Sequence, residues 1–380
     1  MDDQTLHISL GKARPAAAPP PAEPLTGALR SFRGDPEQPF LAPRGIWLCG
    51  SRLLVSDTGQ NRVLIWNRLP ESQQEPASVI LGQPDAEATG RQAGARASSL
   101  QYPSGIWSDG SRLIVADAWN HRVLIWRRFP ERHGQPADVV VGQPDMTGNQ
   151  PNIAGIGAAP SLRSLNWPYG VYSDGTRLWI ADTGNRRILV YDQIPDADGE
   201  AASRVIGQPD GSSREYDPAW PLWPYSVRIG PAGELAVADP QAYRILLWPR
   251  WQDAAHMPAR TVIGQPDLAH NGMNQYGLYP AAHTLSWCYD CCFSGSGLLA
   301  ADTGNSRILW FDPLPAQSNA AAAHVVGKAD FTTGSENLDT VFGTEQTLYW
   351  PFSLCVSGGR MAIADTGNHR IMLASFPPVT

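Results

Sequence analysis

Five cysteines are the residues of this sequence best suited to metal or redox chemistry. Three of them, Cys288, Cys291 and Cys292, surround Asp290 within five residues, while Cys355 and Cys49 lie in other segments. Cys-x2-Cys is a familiar ligand spacing, and thiolates favour zinc, copper or iron. Buried free cysteines also serve as small apolar residues in a tight core, and the sequence favours this alternative.

Composition and missing motifs narrow the function classes. The sequence contains no HExxH, GxSxG or GxxxxGK[ST] motif, so enzymatic activity is the less favoured expectation. A net charge of −7 disfavours general nucleic-acid binding, and without an apolar run of about 18 residues we expect no membrane helix. The acidic start, with no apolar segment after it, predicts a cytoplasmic location in which thiols stay reduced.

The chain is built from a repeat that must position any such site. A hairpin-like segment, LLVSDTGQNRVLIW in its first copy, recurs six times, at 53–66, 113–126, 178–191, 235–248, 298–311 and 361–374. Short apolar runs precede each copy, as in WPYGVY, and follow the first five, as in VILGQPD. Runs of this kind separated by Gly, Pro, Asn and Asp are typical of strands and turns. Four strands in each of six units predict an all-β, six-bladed β-propeller.

The repeated DTGNxR motif resembles that of the NHL-repeat propellers, and GQPD after the last strand is similar to a bacterial subtype. The resemblance covers about residues 28–376. NHL-like lyases hold a metal with channel histidines, but no histidine of this chain lies on a predicted innermost strand, which counts against that activity. RNA-binding members use a basic face, whereas this chain has only two lysines, Lys12 and Lys328.

The amino-terminal segment is predicted to close the ring. The sixth unit lacks a fourth strand, and residues 28–35, ALRSFRGD, read like the fourth strands of the other units. Such closure would remove an open sheet edge. Residues 1–24 are rich in Pro and Ala and are predicted to form a disordered tail, which leaves residues 25–380 as one propeller domain.

Each turn carries an Asp and, five residues later, an Arg. Asp182 and Arg187 are one such pair, with Gly184 between them. We interpret the pairs as structural: the Asp would cap its turn, the Gly would take a left-handed conformation, and the Arg would pair with the carboxylate or with nearby carbonyls.

Two units break the turn pattern and point to a binding face. Unit 2 has Trp119 in place of Gly, and unit 4 ends its turn with Tyr243. In a propeller these turns share a face with the loops that enter each blade, which are long here and carry Tyr216, Trp220 and Tyr276. Exposed aromatic residues on a rigid scaffold are typical binding anchors. The alternative is that they pack the loops onto the blades.

The cysteines are expected on the innermost strands of units 5, 6 and 1, along the central channel. Strict alternation would put Cys288, Asp290 and Cys292 on one face of a strand and Cys291 on the other. A metal site would then combine Cys288, Cys292 and Cys355 with Asp290, provided that this face looks toward unit 6. If it looks toward unit 4, Cys291 with Cys355 becomes the better pair, and a full metal site is not expected.

The sequence therefore predicts a non-enzymatic binding scaffold that recognises a protein or other ligand on its long-loop face. The alternative is a metal-binding or redox protein, with or without enzymatic activity, that uses the channel cysteines.

Overall fold

The computed structural model describes residues 29–376, and these residues form the predicted all-β propeller. The residues 1–24 predicted as a tail lie outside the described range. Within that range the strands are β1 (Arg30–Phe32), β2 (Gly45–Cys49), β3 (Arg52–Asp57), β4 (Arg62–Trp66), β5 (Val79–Leu81), β6 (Pro103–Ser108), β7 (Leu113–Asp117), β8 (Arg122–Trp126), β9 (Val139–Val141), β10 (Pro168–Ser173), β11 (Leu178–Asp182), β12 (Arg187–Tyr191), β13 (Arg204–Ile206), β14 (Ser226–Ile229), β15 (Leu235–Asp239), β16 (Arg244–Trp248), β17 (Thr261–Ile263), β18 (Cys288–Ser294), β19 (Gly297–Asp302), β20 (Arg307–Phe311), β21 (His324–Val326), β22 (Pro351–Ser357), β23 (Arg360–Asp365) and β24 (Arg370–Ser375).

Six antiparallel sheets of four strands form the blades. Blades 1 to 5 are β2–β5, β6–β9, β10–β13, β14–β17 and β18–β21, and blade 6 has the order β1-β24-β23-β22. The strand Arg30–Phe32 pairs with β24, so the predicted closure by the amino-terminal segment is confirmed. Phe32 is fully buried, and its ring contacts those of Phe40 and Trp66 edge-on, at 5.6 and 5.2 Å.

Apolar cores lie between neighbouring blades. The middle strands are buried on both faces because each sheet packs against the sheets on either side, which explains their nearly continuous apolar runs. The core between blades 2 and 3, for example, joins Ile114 and Val141 of one sheet to Val171 and Leu189 of the next. The ring is therefore held by burial at every blade boundary rather than by a central core.

Short 3₁₀ helices join the second and third strands of each blade. They span Thr58–Gln60, Ala118–Asn120, Thr183–Asn185, Pro240–Ala242, Thr303–Asn305 and Thr366–Asn368. Three further 3₁₀ segments within residues 29–376 lie at Trp251–Ala255, Met273–Tyr276 and Glu336–Asp339. No helix in this range is long and apolar enough to cross a membrane.

The Asp–Arg pairs are structural, as the sequence predicted. Arg187 Nε donates to Asp182 at 2.7 Å, and both side chains are fully buried. The remaining nitrogens of Arg187 donate to the carbonyls of Ser161, Ser164 and Gly211. One arginine thus ties its turn to the loop before its own blade and to the loop before the next.

Two details of the predicted turn are wrong. The carboxylate of Asp182 does not cap the turn amides; it accepts from the backbone amide of Asn166 at 2.7 Å. The left-handed residue is Arg186 (φ 57°) and not Gly184. Gly184 is needed for space, because a Cβ there would lie 2.7 Å from the carbonyl oxygen of Asn166.

Candidate functional site

The two faces of the propeller differ in their loops. We call the face that carries the six second-to-third-strand turns and the loops 33–44, 86–102, 146–167, 211–223, 268–287 and 331–350 the long-loop face. The loops and turns lock together: the amide of Gly184 in the turn of blade 3 donates to Asn166 in the loop before that blade.

Exposed apolar side chains are concentrated on the long-loop face. Within residues 29–376, Met257 is the single large exposed apolar residue that lies elsewhere. The others are Leu41, Trp119, Ile153, Ile156, Trp167, Tyr216, Met273, Tyr276, Leu278, Tyr279, Trp287, Leu338, Val341, Phe342 and Trp350. One-sided exposure of this kind is a mark of interaction surfaces.

Three of the long loops hold their apolar tips away from the blades in a similar way. In the loop before blade 5, the buried amide of Asn274 exchanges two hydrogen bonds with Asn305 of the turn, at 2.9 and 3.1 Å. Beyond this anchor, Leu278 is 94% exposed and Tyr279 is 76% exposed.

Equivalent amide pairs anchor the other two loops. Asn337 pairs with Asn368 before blade 6, and Asn152 pairs with Asn185 before blade 3. These anchored loops present Phe342 and Ile156 to solvent. Rigid anchoring lowers the entropy lost on binding, which suits exposed tips for recognition.

At the centre of this face, aromatic rings close the channel mouth. Three of them lie at the second position of β10, β18 and β22, and the other two directly precede β6 and β14. The centroid distances between neighbours are 6.4 Å for Tyr102–Tyr169, 4.5 Å for Tyr169–Tyr225, 4.7 Å for Tyr225–Tyr289 and 4.3 Å for Tyr289–Phe352. We call these five residues the aromatic ring.

Arg44 of blade 1 completes the aromatic ring. Its guanidinium carbon lies 4.1 Å from the centroid of Phe352 and 5.2 Å from that of Tyr102. Its Nε is buried and has no hydrogen-bond partner within residues 29–376, and the same holds for the hydroxyl of Tyr225. Two buried polar atoms thus remain unsatisfied in the same ring.

Three tyrosines of the aromatic ring, Tyr102, Tyr169 and Tyr289, keep their protons. Burial raises the pKa of Tyr102 and that of Tyr289 to about 12 each, and it also raises the pKa of Tyr169. Burial lowers the pKa of Arg44, but the adjacent Tyr225 and Tyr102 phenols outweigh it, so the net shift is upward. The channel mouth therefore combines a permanent cation with protonated hydroxyl donors.

Below the aromatic ring the channel is nearly filled. The cavity there measures about 20 Å³, which is room for about one water molecule. Asp290 lies in its wall and pairs with Arg228 at 2.8 Å. The carboxylate also accepts hydrogen bonds from the hydroxyls of Ser226 and Ser353. This ion pair is satisfied by the protein and plugs the channel.

The predicted binding residues divide into two groups. Trp119 is 47% exposed and stacks on Tyr102 at 4.5 Å, and Tyr243 contacts Trp287 edge-on at 5.1 Å. Both therefore extend the aromatic surface around the channel mouth.

The other three lie in the outer loops. Tyr216 and Tyr276 are well exposed, at 54% and 72%. Trp220 is half-buried against the core between blades 3 and 4. No ring-to-ring contact joins these three to the aromatic ring within the described residues.

The predicted metal-site face is broken by a β-bulge. The register of β18 against β19 shifts between Cys288 and Asp290, so the simple alternation expected from the sequence does not apply. Cys288 and Cys291 both pack into the core between blades 4 and 5. Cys292 packs between blades 5 and 6, as the sequence hypothesis required, but without Cys288.

The remaining cysteines lie at other blade boundaries. Cys355 packs between blades 6 and 1, and the half-buried Cys49 packs between blades 1 and 2. The thiols are thus divided among four interblade cores, and only Cys292 and Cys355 share a channel cavity, of about 150 Å³, among the described residues. Within residues 29–376, no three His, Cys, Asp or Glu side chains are arranged to hold a metal ion.

The chemistry of the thiols agrees with this arrangement. Burial raises the pKa of Cys288, of Cys291, of Cys292 and of Cys355, so all four stay protonated. Metal binding and disulfide exchange both need thiolates. Asp290, the predicted oxygen ligand, is already engaged by Arg228. The predicted ligand set is therefore not brought together within the described residues.

Sequence reasoning missed the aromatic ring and Arg44. The signal was present: aligning the first strands of the units places Arg44 in register with Tyr169, Tyr225, Tyr289 and Phe352, directly after the Pro or Cys position. Only ring closure shows that these positions meet at one point.

Comparison with known proteins confirms the fold class. No protein-family model and no curated protein matches the chain. A structural genomics protein of unknown function from Bacteroides thetaiotaomicron VPI-5482 is 12% identical, with a TM-score of 0.52 over 92% of this chain and 76% of that one. An auxiliary nutrient binding protein from the same organism is 11% identical, with a TM-score of 0.50 over 89% and 69%.

A third solved structure, a catalytically inactive virginiamycin B lyase from Staphylococcus aureus with quinupristin, covers 92% of this chain and 99% of its own. It is 11% identical, with a TM-score of 0.48. At 11–12% identity, the likeness to the two Bacteroides structures extends to the fold alone.

Proposed function

We propose that the protein is an NHL-repeat propeller that works as a non-enzymatic binding scaffold and recognises a protein or other ligand through its long-loop face. The supporting observation is the one-sided exposure of large apolar side chains, with Met257 as the single exception in the described residues. The cytoplasmic location and the absence of nucleic-acid partners stay predictions from the sequence.

The state of the channel supports binding over catalysis. Its charged residues, Asp290 and Arg228, pair with each other, and the cavity on the long-loop side of them holds about one water molecule. Arg228 also lines a second cavity of about 150 Å³ further along the channel. A catalytic acid or base would need access to a substrate, which the cavity on the long-loop side is too small to admit. Recognition would instead use the loop tips of the long-loop face. The most exposed large apolar side chains there include Leu278, Tyr279, Phe342, Val341 and Ile156.

The test compares the two faces. The full chain is immobilised and incubated with lysate, and bound proteins are quantified for the wild type, for a Leu278→Ser, Tyr279→Ser, Phe342→Ser variant, and for Met257→Ser on the other face. We expect a defined set of proteins bound by the wild type and by Met257→Ser but lost from the triple variant, with native circular dichroism throughout. If the wild type, the triple variant and Met257→Ser all retained the same lysate proteins in equal amounts, the proposal would be contradicted.

A further inference from the structure

The unsatisfied guanidinium of Arg44 is the feature of the long-loop face that the proposed function does not explain. The site inferred below rests on the proposed function only in lying on the same long-loop face. The channel mouth and the loop tips are separate parts of that face. Nε of Arg44 and the hydroxyl of Tyr225 are buried without hydrogen-bond partners in residues 29–376.

Buried arginines elsewhere in the protein are satisfied. Arg62 donates to Asp57 at 2.8 Å and to the carbonyls of Ala86 and Gln38. Arg228 donates to Asp290 and to the carbonyl of Val227. Arg44 is half-buried and has no carboxylate or carbonyl partner for its side chain among the described residues, so the accessible part of its guanidinium is left for an external anion.

We propose that the channel mouth is an anion-binding site in which Arg44 and the tyrosine hydroxyls of the aromatic ring hold the carboxylate of an apolar ligand. The site combines a guanidinium, which pairs with carboxylates through two parallel hydrogen bonds, with the tyrosine hydroxyls of the surrounding aromatic ring.

The surroundings indicate the class of the ligand. Phe352 and Tyr102 flank the guanidinium through their ring faces, which leaves its edge for the anion. Trp119, which is 47% exposed, stacks on Tyr102 and adds an apolar wall. Because the cavity below is too small for more than a water molecule, the body of the ligand must lie on the outer, aromatic side.

One cation in an aromatic setting suits a monoanion with an apolar body, such as an aromatic acid or the carboxyl terminus of an apolar peptide. The second arginine near the channel, Arg228, is already neutralised by Asp290. A multiply charged phosphate would therefore find only one positive charge that is not already paired, so we expect it to bind more weakly than a monoanion.

The test measures binding of benzoate to the full chain by titration calorimetry, with benzamide as the uncharged analogue and inorganic phosphate as the alternative anion. We expect millimolar or tighter binding of benzoate, weaker binding of phosphate and none of benzamide. Arg44→Gln should weaken benzoate binding by about tenfold or more, because a charged hydrogen bond is lost.

The matched control is Arg214→Gln, which removes an exposed arginine from the same face. It should bind benzoate as the wild type does. No benzoate binding by the wild type, equal binding by Arg44→Gln, or tighter binding of phosphate than of benzoate would overturn the proposal.

The triple loop-tip variant separates this site from the scaffold function. If the anion site is correct, that variant keeps benzoate binding whether or not it loses its protein partners. A peptide with an apolar carboxyl terminus, tested against the same peptide as its amide, distinguishes a peptide source of the carboxylate from a small acid.

Discussion

Arg187 and Arg44 are two arginines of the same propeller whose surroundings differ in kind. Arg187 is fully buried and donates to one carboxylate and three carbonyls, all within the protein. Arg44 is packed between two aromatic rings and has a buried nitrogen without a partner in the described residues. The paired arginine stabilises the propeller, whereas the arginine without a protein partner is available to bind a ligand.

The largest expected effect comes from breaking a satisfied pair. Arg187→Met leaves the buried Asp182 carboxylate and three carbonyls without their donor, and we expect a loss of about 3–5 kcal/mol in the free energy of unfolding. Urea denaturation measures it. Arg204→Met, which removes an exposed partner of Asp192, is the control and should cost at most about 1 kcal/mol. Similar losses in the two variants would erase the distinction between the two environments.

His121 lies between these extremes, because it is buried and needs only one partner. Its Nδ1 accepts the backbone amide of Trp167 at 3.0 Å, and burial lowers its pKa to about 4. Between about pH 6.5 and 4, His121 is protonated in the unfolded state but not in the folded state. The free energy of unfolding therefore falls as the pH drops from about 6.5 toward 4.

His121→Asn isolates that contribution, since Asn61 occupies the same left-handed position in blade 1 and accepts the equivalent amide, that of Tyr102. When the pH is lowered from 7 to 5, the free energy of unfolding of the wild type should fall by up to about 2 kcal/mol more than that of the variant. Urea denaturation at both pH values gives the difference. Parallel losses would mean that His121 titrates alike in the folded and unfolded states.

The smallest effect is expected at Arg44. Arg44→Met removes an unsatisfied charge and keeps apolar contact with Phe352, so stability should change by less than about 1 kcal/mol or should rise. Thermal and urea denaturation both check this. A loss as large as that of Arg187→Met would show that Arg44 has a structural partner and would remove the basis of the anion site.

Much of the fold was predictable because its determinants repeat. Six copies of one hairpin fixed the blade count, and the missing fourth strand of the last unit identified residues 28–35 as the closing strand. Local geometry was less predictable. Nothing in the letters TGN distinguishes a Gly that needs space from one that needs a left-handed conformation, and Gly184 proved to be the former.

The alternation expected along β18 was also wrong, for a local reason. Alternation along β18 would have grouped Cys288 with Cys292, but the bulge turned Cys288 toward the core of Cys291. A bulge depends on how two strands pair and is not visible in one of them. Arg44 was overlooked for the opposite reason, because its significance depends on Phe352, which is 308 positions away in the chain and adjacent only in the closed ring.

The pairing of β1 with β24 also sets the order in which the protein can be completed on the ribosome. Arg30 is made early, whereas its partner Leu373 follows more than 300 residues later. At about 5–20 residues per second, Phe32 and the open flank of the first blade wait some tens of seconds for their neighbours. During that interval the nascent chain carries an unpaired strand and an uncovered apolar surface, and this is the period in which a chaperone would matter most to it.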